Sequence, residues 1–165
     1  MLPSKPIAAI NHPDYQRHRY WMRRAIALSA QAGAADEVPV GAVVVDADNK
    51  LVSEGENRRE RDHDPTAHAE IVALRLAGRS LASWRLNQCT LYVTLEPCPM
   101  CAGAIIQARL GTLVYGAADP KAGAINTVLN LPDSACSNHR LQVTGGILEQ
   151  CCQQQLRDWF EAHRI

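Results

Sequence analysis

Apolar positions set the first expectations along this chain. Between residues 17 and 34, Trp21, Met22, Ala25, Ile26, Leu28 and Ala32, with the small Ser29 among them, recur at helical spacing, and this predicts a first helix ending at Gly33. Residues 1–16 carry Pro3, Pro6 and Pro13 without a sustained period and read as a flexible arm. The pattern then changes to β. A β-branched run over 40–46 and a second over 51–55, separated by Asp46-Ala47-Asp48-Asn49-Lys50, predict an antiparallel hairpin. A polar loop over 56–65 leads to Thr66 as a helix N-cap, with a second helix over 67–77 stopped by Gly78. Residues 90–95 form the clearest strand, Pro99 suits the first turn of a helix running to Ala108, and 112–116 is strand again. Strand, helix, strand in that compass is a right-handed parallel crossover, which lays helices against a sheet. After a loop-rich stretch, 119–139, a short strand is expected over 141–144. A last helix is expected over 147–163, with Leu148, Cys151, Cys152, Leu156, Trp159 and Phe160 on one face. The sum is an α/β chain of about five strands and five helices without internal repeats.

Length and composition narrow this to a single domain over 17–165 behind the arm, since 165 residues at 47% hydrophobic content suffice for one sizeable core. Basic and acidic residues balance at 17 each, so the chain as a whole has no general attraction for nucleic acid or membrane, and any contact with RNA has to be local. No leader-like apolar segment and no run of bilayer length is present, which makes a cytoplasmic protein without membrane contact the expectation. Six cysteines in a chain of this kind point to metal binding or free thiols rather than disulfides.

Two short motifs carry the candidate chemistry. His68-Ala69-Glu70 and, after Glu96, Pro97-Cys98-Pro99-Met100-Cys101 together offer one imidazole, two thiolates and a carboxylate. Three protein ligands leave a tetrahedral zinc with an open position, the mark of a catalytic rather than a structural site. Cys98 and Cys101 are three apart at a predicted helix start, where they share a face and the helix dipole favours thiolates. Zinc with two thiolates and a neutral histidine is formally neutral and acidifies its water less than a three-imidazole site does, so a base is needed, and Glu70 is placed to be it. Glu70 does not share an interior helix face with His68; the pair works only if the first helical turn abuts the metal. Two other readings remain open: a closed structural site with His63, Cys89 or His139 as fourth ligand, and a redox cysteine pair.

Taken together, H-x-E and P-C-x-x-C resemble the signature of the zinc-dependent cytidine and adenosine deaminases. Longer stretches are similar to the bacterial tRNA adenosine deaminase branch: Glu37-Val38-Pro39-Val40-Gly41-Ala42, Asn57, Asp64-Pro65-Thr66-Ala67-His68-Ala69-Glu70, Thr94-Leu95-Glu96-Pro97-Cys98, Met100-Cys101-Ala102-Gly103-Ala104 and Asn138-His139-Arg140. The resemblance runs from about Tyr20 to Arg164. It implies a three-layer α/β/α cytidine deaminase-like fold with a five-stranded mixed sheet and helices on both faces. It also implies a homodimer and one zinc per chain on His68, Cys98 and Cys101, with Glu70 as proton shuttle. Asn57 and Val40 match positions that meet the target nucleoside, and Asp119, Lys121, Asn138 and Phe160 match positions near a tRNA anticodon loop. Val40 and Phe160 also read simply as a core strand residue and a packed helix face. The implied reaction converts the wobble adenosine of an arginine tRNA to inosine, with hydroxide attacking C6 and ammonia leaving. Two further classes share these motifs: deaminases of free nucleobases or nucleosides, and a non-catalytic RNA-binding subunit with structural zinc.

Where the family often has arginine, this chain has Ala118, and it closes on Glu161-Ala162-His163-Arg164-Ile165 where relatives commonly extend with basic residues. Arg58, Arg59 and Arg61 lie among Glu54, Glu56, Glu60, Asp62 and Asp64, and this net acidic segment reads as a solvated loop. Lys5, Arg17, Arg19, Arg23 and Arg24 face only Asp14, which makes the N-terminal region a candidate for phosphate contacts.

Overall fold

A computed structural model describes residues 12–164 of the chain. Helix α1 spans Pro13–Ala34, capped by the His12 imidazole, which accepts from the Asp14 backbone N–H at 3.2 Å. Residues 13–16 are thus helical, and the expected arm contracts: proline is compatible with a first helical turn, where its missing N–H costs nothing. The rest of the arm lies outside the described residues. Strands β1 (Gly41–Val45) and β2 (Leu51–Glu56) form the hairpin, its turn held by Asp46 Oδ1, which accepts from the N–H groups of Asp48 and Lys50, both at 2.9 Å. A one-turn helix, α2 (Arg59–Asp62), interrupts the stretch expected as loop. Helix α3 (Ala69–Ser80), β3 (Thr90–Leu95), α4 (Pro99–Gln107), β4 (Thr112–Ala117), β5 (Gln142–Thr144) and α5 (Glu149–Ala162) complete the order.

The sheet runs β2-β1-β3-β4-β5, antiparallel on the β1 side of β3 and parallel on the β4 side. Side chains alternate along each strand and so divide the core in two. Val43, Val45, Tyr92 and Val114 meet Trp21, Met22 and Ala25 of α1 and Cys152 of α5. Val44, Leu91, Val93, Leu113 and Tyr115 meet Ala73, Leu74 and Ala77 of α3 and Ala102 and Ile105 of α4 on the other face. Strand β1 is buried at all five positions because both its faces are covered, which is why it reads as an unbroken apolar run. The result is the three-layer α/β/α fold, with α1 and α5 on one side and α3 and α4 on the other.

Helix α3 starts and stops elsewhere than its pattern suggested. Thr66 spends its hydroxyl and N–H on Asp64 Oδ1 at 2.7 and 2.8 Å, and His68 occupies the N-cap. Gly78 is passed through, and the chain turns at Ala82 with φ 49°. The connection between β4 and β5 contains no regular helix, although it joins parallel strands. It is packed as a loop, with Ala124 and Ile125 fully buried.

Candidate active site

The N-termini of α3 and α4 converge at the carboxyl end of β3. His68 and Cys98 are the N-cap residues of the two helices, and neither spends its side chain on a backbone N–H of its helix. Both are therefore available to each other. Cys98 Sγ lies 3.6 Å and Cys101 Sγ 3.5 Å from His68 Nδ1, and the three donor atoms lie within 4.8 Å of one another. A tetrahedral zinc with ordinary bond lengths requires an S···N edge of about 3.6 Å, so the trio fits the ion. The closed structural site does not gather a fourth ligand: His63, Cys89 and His139 do not join this group, and His139 instead bonds the Leu110 carbonyl.

Without an ion, one sulfur is ionised and the protons are held on its two neighbours, which a bound metal would displace. The Cys98 thiol is held down to about 4 by hydrogen bonds from Cys101 and His68 against the opposing effect of burial. Cys101 is pushed up by that same thiolate and by burial, as expected for two sulfurs close enough to share one proton. His68 is raised by its bond to Cys98. Glu70, in the first turn of α3, is 4% exposed, and burial lifts its carboxyl to about 7. It reaches the Cys101 sulfur. The first turn thus does abut the metal corner, as the spacing of His68 and Glu70 demands.

A cavity of about 200 Å³ opens from this corner, lined by His68, Glu70 and Cys98 on one side and by Val38, Val40 and Asn57 on the other. Asn57 is held on three points: its N–H donates to Val40 O at 3.1 Å, its Nδ2 to Val38 O at 3.2 Å, and its own carbonyl accepts from Arg61 at 3.1 Å. Its Oδ1 is buried and has no partner. Val40 precedes β1 and is both core and cavity wall.

Asp119 and Ala122 close the third side and belong also to a larger groove of about 830 Å³, lined further by Lys121, Arg157 and Phe160. Phe160 is 49% exposed, with its edge against Trp159, and is not a packed face. Asn138 stands apart. It is exposed and lines neither space, and its carbonyl accepts from Arg109 at 3.1 Å. The arginine cluster divides. Arg58 pairs with Asp62 at 2.9 Å. Arg61 is built in, its backbone N–H on the buried Glu37 and its guanidinium on Glu56, both at 2.9 Å. Arg59 lines the cavity. In α1, Arg17 pairs with Asp14 and Arg24 with Glu54.

Sequence reasoning assigned no role to Glu96. Its carboxylate, 1% exposed, accepts from the N–H groups of Asp119, Ile125, Asn126 and Thr127 and from the Thr127 hydroxyl. Burial alone would raise its pKa, and these donors reverse the sign and lower it. An acidic residue standing between a strand end and Pro97-Cys98 was the available signal.

A mixed five-stranded sheet covered on both faces, with a histidine and two cysteines gathered at two helix N-termini, defines the class of cytidine deaminase-like zinc enzymes. The model of the MafB19-like deaminase family matches residues 16–159. The chain is 48% identical over 143 residues to the tRNA-specific adenosine deaminase of Haemophilus influenzae, which covers 87% of this chain and 83% of that protein. It superposes with TM-score 0.81 and 41% identity, over 83% of this chain and 99% of the other, on a structure from a study of A-to-I editing by tRNA:A34 deaminases at the wobble position of transfer RNA. A guanine deaminase from Nitrosomonas europaea superposes with TM-score 0.73 at 27% identity, over 96% and 94%. The chain belongs to the MafB19-like deaminase family and, within it, to the group of the tRNA-specific adenosine deaminases.

Proposed function

We propose that this chain deaminates adenosine to inosine at the wobble position of a tRNA anticodon loop, with an arginine tRNA as substrate. The observation that carries the reading is the pairing of two spaces: a 200 Å³ cavity at the metal corner, of a size for one base, and a groove beside it with Lys121, Arg157 and Phe160. A polyanion threaded past cations and an exposed ring, with one base turned inward, suits that shape. An anticodon nucleotide is unpaired, so turning it inward costs little.

His68, Cys98 and Cys101 would hold one zinc. Zinc bound there lowers the pKa of a water and so supplies the nucleophile. Glu70, whose carboxyl burial lifts to about 7, is suited to take one proton of that water near neutral pH and pass it to the ring nitrogen, then to take the second from the added hydroxyl and pass it to the departing amine. The free, buried Oδ1 of Asn57 accepts a hydrogen bond from the nucleoside, and Val38 and Val40 flank the base. Water adds at C6 and ammonia leaves, so the amine becomes a carbonyl.

A homodimer goes with this reading. It is supported by an open trough of about 780 Å³ between α3 and α4, lined by Ile71, Leu74 and Ala104, where Trp84 is 59% exposed. A tRNA substrate places the protein in the cytoplasm, and among the described residues no helix is long and apolar enough to cross a membrane. The test is to incubate the zinc-loaded protein with an arginine-tRNA anticodon stem-loop and assay inosine, alongside adenosine, cytidine and guanine. Inosine in the stem-loop supports the reading. Turnover of guanine or a free nucleoside alone replaces it with a small-substrate deaminase, the class of the guanine deaminase that the fold also resembles.

A further inference from the structure

We propose that Glu96 is a positioning residue that sets the RNA-facing wall of the groove from the metal-binding turn. The inference rests on the functional reading above. Glu96 closes β3, its backbone N–H on Ala117 O at 2.8 Å, and stands two residues before Cys98. Its Oε1 accepts from the N–H groups of Ile125, Asn126 and Thr127 at 3.2, 2.7 and 3.0 Å. Its Oε2 accepts from the Asp119 N–H at 3.1 Å and from the Thr127 hydroxyl. An ionised carboxylate offers roughly four lone-pair sites. Five donors leave none for a reactant, so Glu96 is no second acid or base although it borders the cavity.

The loop is shaped around this side chain. A β-carbon at Gly123 would run into the Glu96 carboxylate, so the backbone can wrap this closely only with glycine there. The dependence is mutual. A carboxylate this buried is costly unless its hydrogen bonds are met, and the loop, without a helix of its own, depends on the carboxylate for four of its N–H groups. The two ends of the loop so held, Asp119 and 125–127, bracket the turn in which Asp119 and Ala122 line both the cavity and the groove and Lys121 lines the groove. One side chain therefore holds the wall that meets RNA in register with the turn that carries Cys98.

Glu96→Gln removes this selectively. The amide oxygen can keep the three donors of Oε1, but the amide nitrogen then faces the Asp119 N–H, donor against donor. Thr127→Ala is the milder variant: it removes the hydroxyl on Oε2 together with one methyl group and keeps the backbone N–H on Oε1. Two measurements are made on the zinc-loaded full-length protein: the Kd of a fluorescent anticodon stem-loop by anisotropy, and kcat and KM for inosine formation. In E96Q, Kd and KM are expected to rise about tenfold with kcat within about twofold and one zinc per chain; in T127A they rise about threefold. A fall in kcat that equals or exceeds the rise in KM, loss of zinc, or an unchanged Kd overturns the proposal, since a residue needed only for the fold lowers the active fraction and leaves KM alone. If E96Q does not fold, T127A decides by the same criteria. A wild-type protein that binds the stem-loop without making inosine refutes the functional reading while the Kd comparison still decides on Glu96. One that neither binds nor converts it refutes both.

Discussion

Burial raises the Glu70 carboxyl into the range where one proton can be taken up and given back near neutral pH, and among the described residues it is the carboxylate that reaches the Cys101 sulfur. Glu70→Ala is therefore expected to keep one zinc per chain and to lower kcat by about a thousandfold or more. Turnover near wild type refutes the shuttle, and loss of zinc makes Glu70 a ligand. Thiol chemistry divides just as clearly. Cys152 is fully buried, with its thiol pushed up to about 12 by burial, and Cys89 is raised in the same direction, whereas Cys136 and Cys151 are exposed. Iodoacetamide at neutral pH should label Cys136 and Cys151 and spare Cys89 and Cys152, as read by peptide mass. His68, Glu70, Cys98 and Cys101 were legible in the sequence because their spacing and neighbours are local. The work of Arg61 and Glu96 was not: Arg61 donates to Glu37, 24 positions away, and Glu96 accepts from Thr127, 31 away, and only the fold makes these neighbours.

Elements proved more legible in kind than in extent. Every strand and long helix was anticipated, because period-2 and period-3.6 burial are written in apolar positions. Ends were displaced where a side chain did something other than capping: Thr66 turned to Asp64, His68 took the N-cap, and Ala82 rather than Gly78 supplied the left-handed residue after α3. The docking of α3 on β2 depends on Gly55, where a β-carbon would lie 2.7 Å from Ala73 N and strike the Ala69 carbonyl. Gly55→Ala should therefore destabilise the protein by about 2 kcal/mol in urea unfolding. It should also weaken zinc binding, because His68 is the N-cap of α3. Unchanged stability and zinc affinity would mean that the helix can shift without cost.

On the scale of the whole molecule, the zero net charge gives no general attraction for RNA, so affinity has to come from local groups, and the groove gathers several of them. Lys121, Arg157 and Arg164 line it against Asp119 and Glu161. With three cations on a single-stranded loop, log of the binding constant should fall with log of salt at a slope of about −2; a much steeper slope would place basic residues outside the groove in contact with RNA. If the proposed homodimer forms through the trough at Trp84, Trp84→Glu should lower the mass in sedimentation from dimer to monomer; a wild-type monomer refutes the dimer, and a variant that stays dimeric locates the interface elsewhere. The arrangement of the chain around β3 also has a consequence in time. A ribosome has already made the whole metal corner, His68, Glu70, Cys98 and Cys101, when residue 101 is added, yet Arg157 and Phe160 of the groove come more than 50 residues later. The nascent chain thus carries a complete set of zinc donors before Lys121, Arg157 and Phe160 of the groove exist, and metal loading can precede completion of the substrate site.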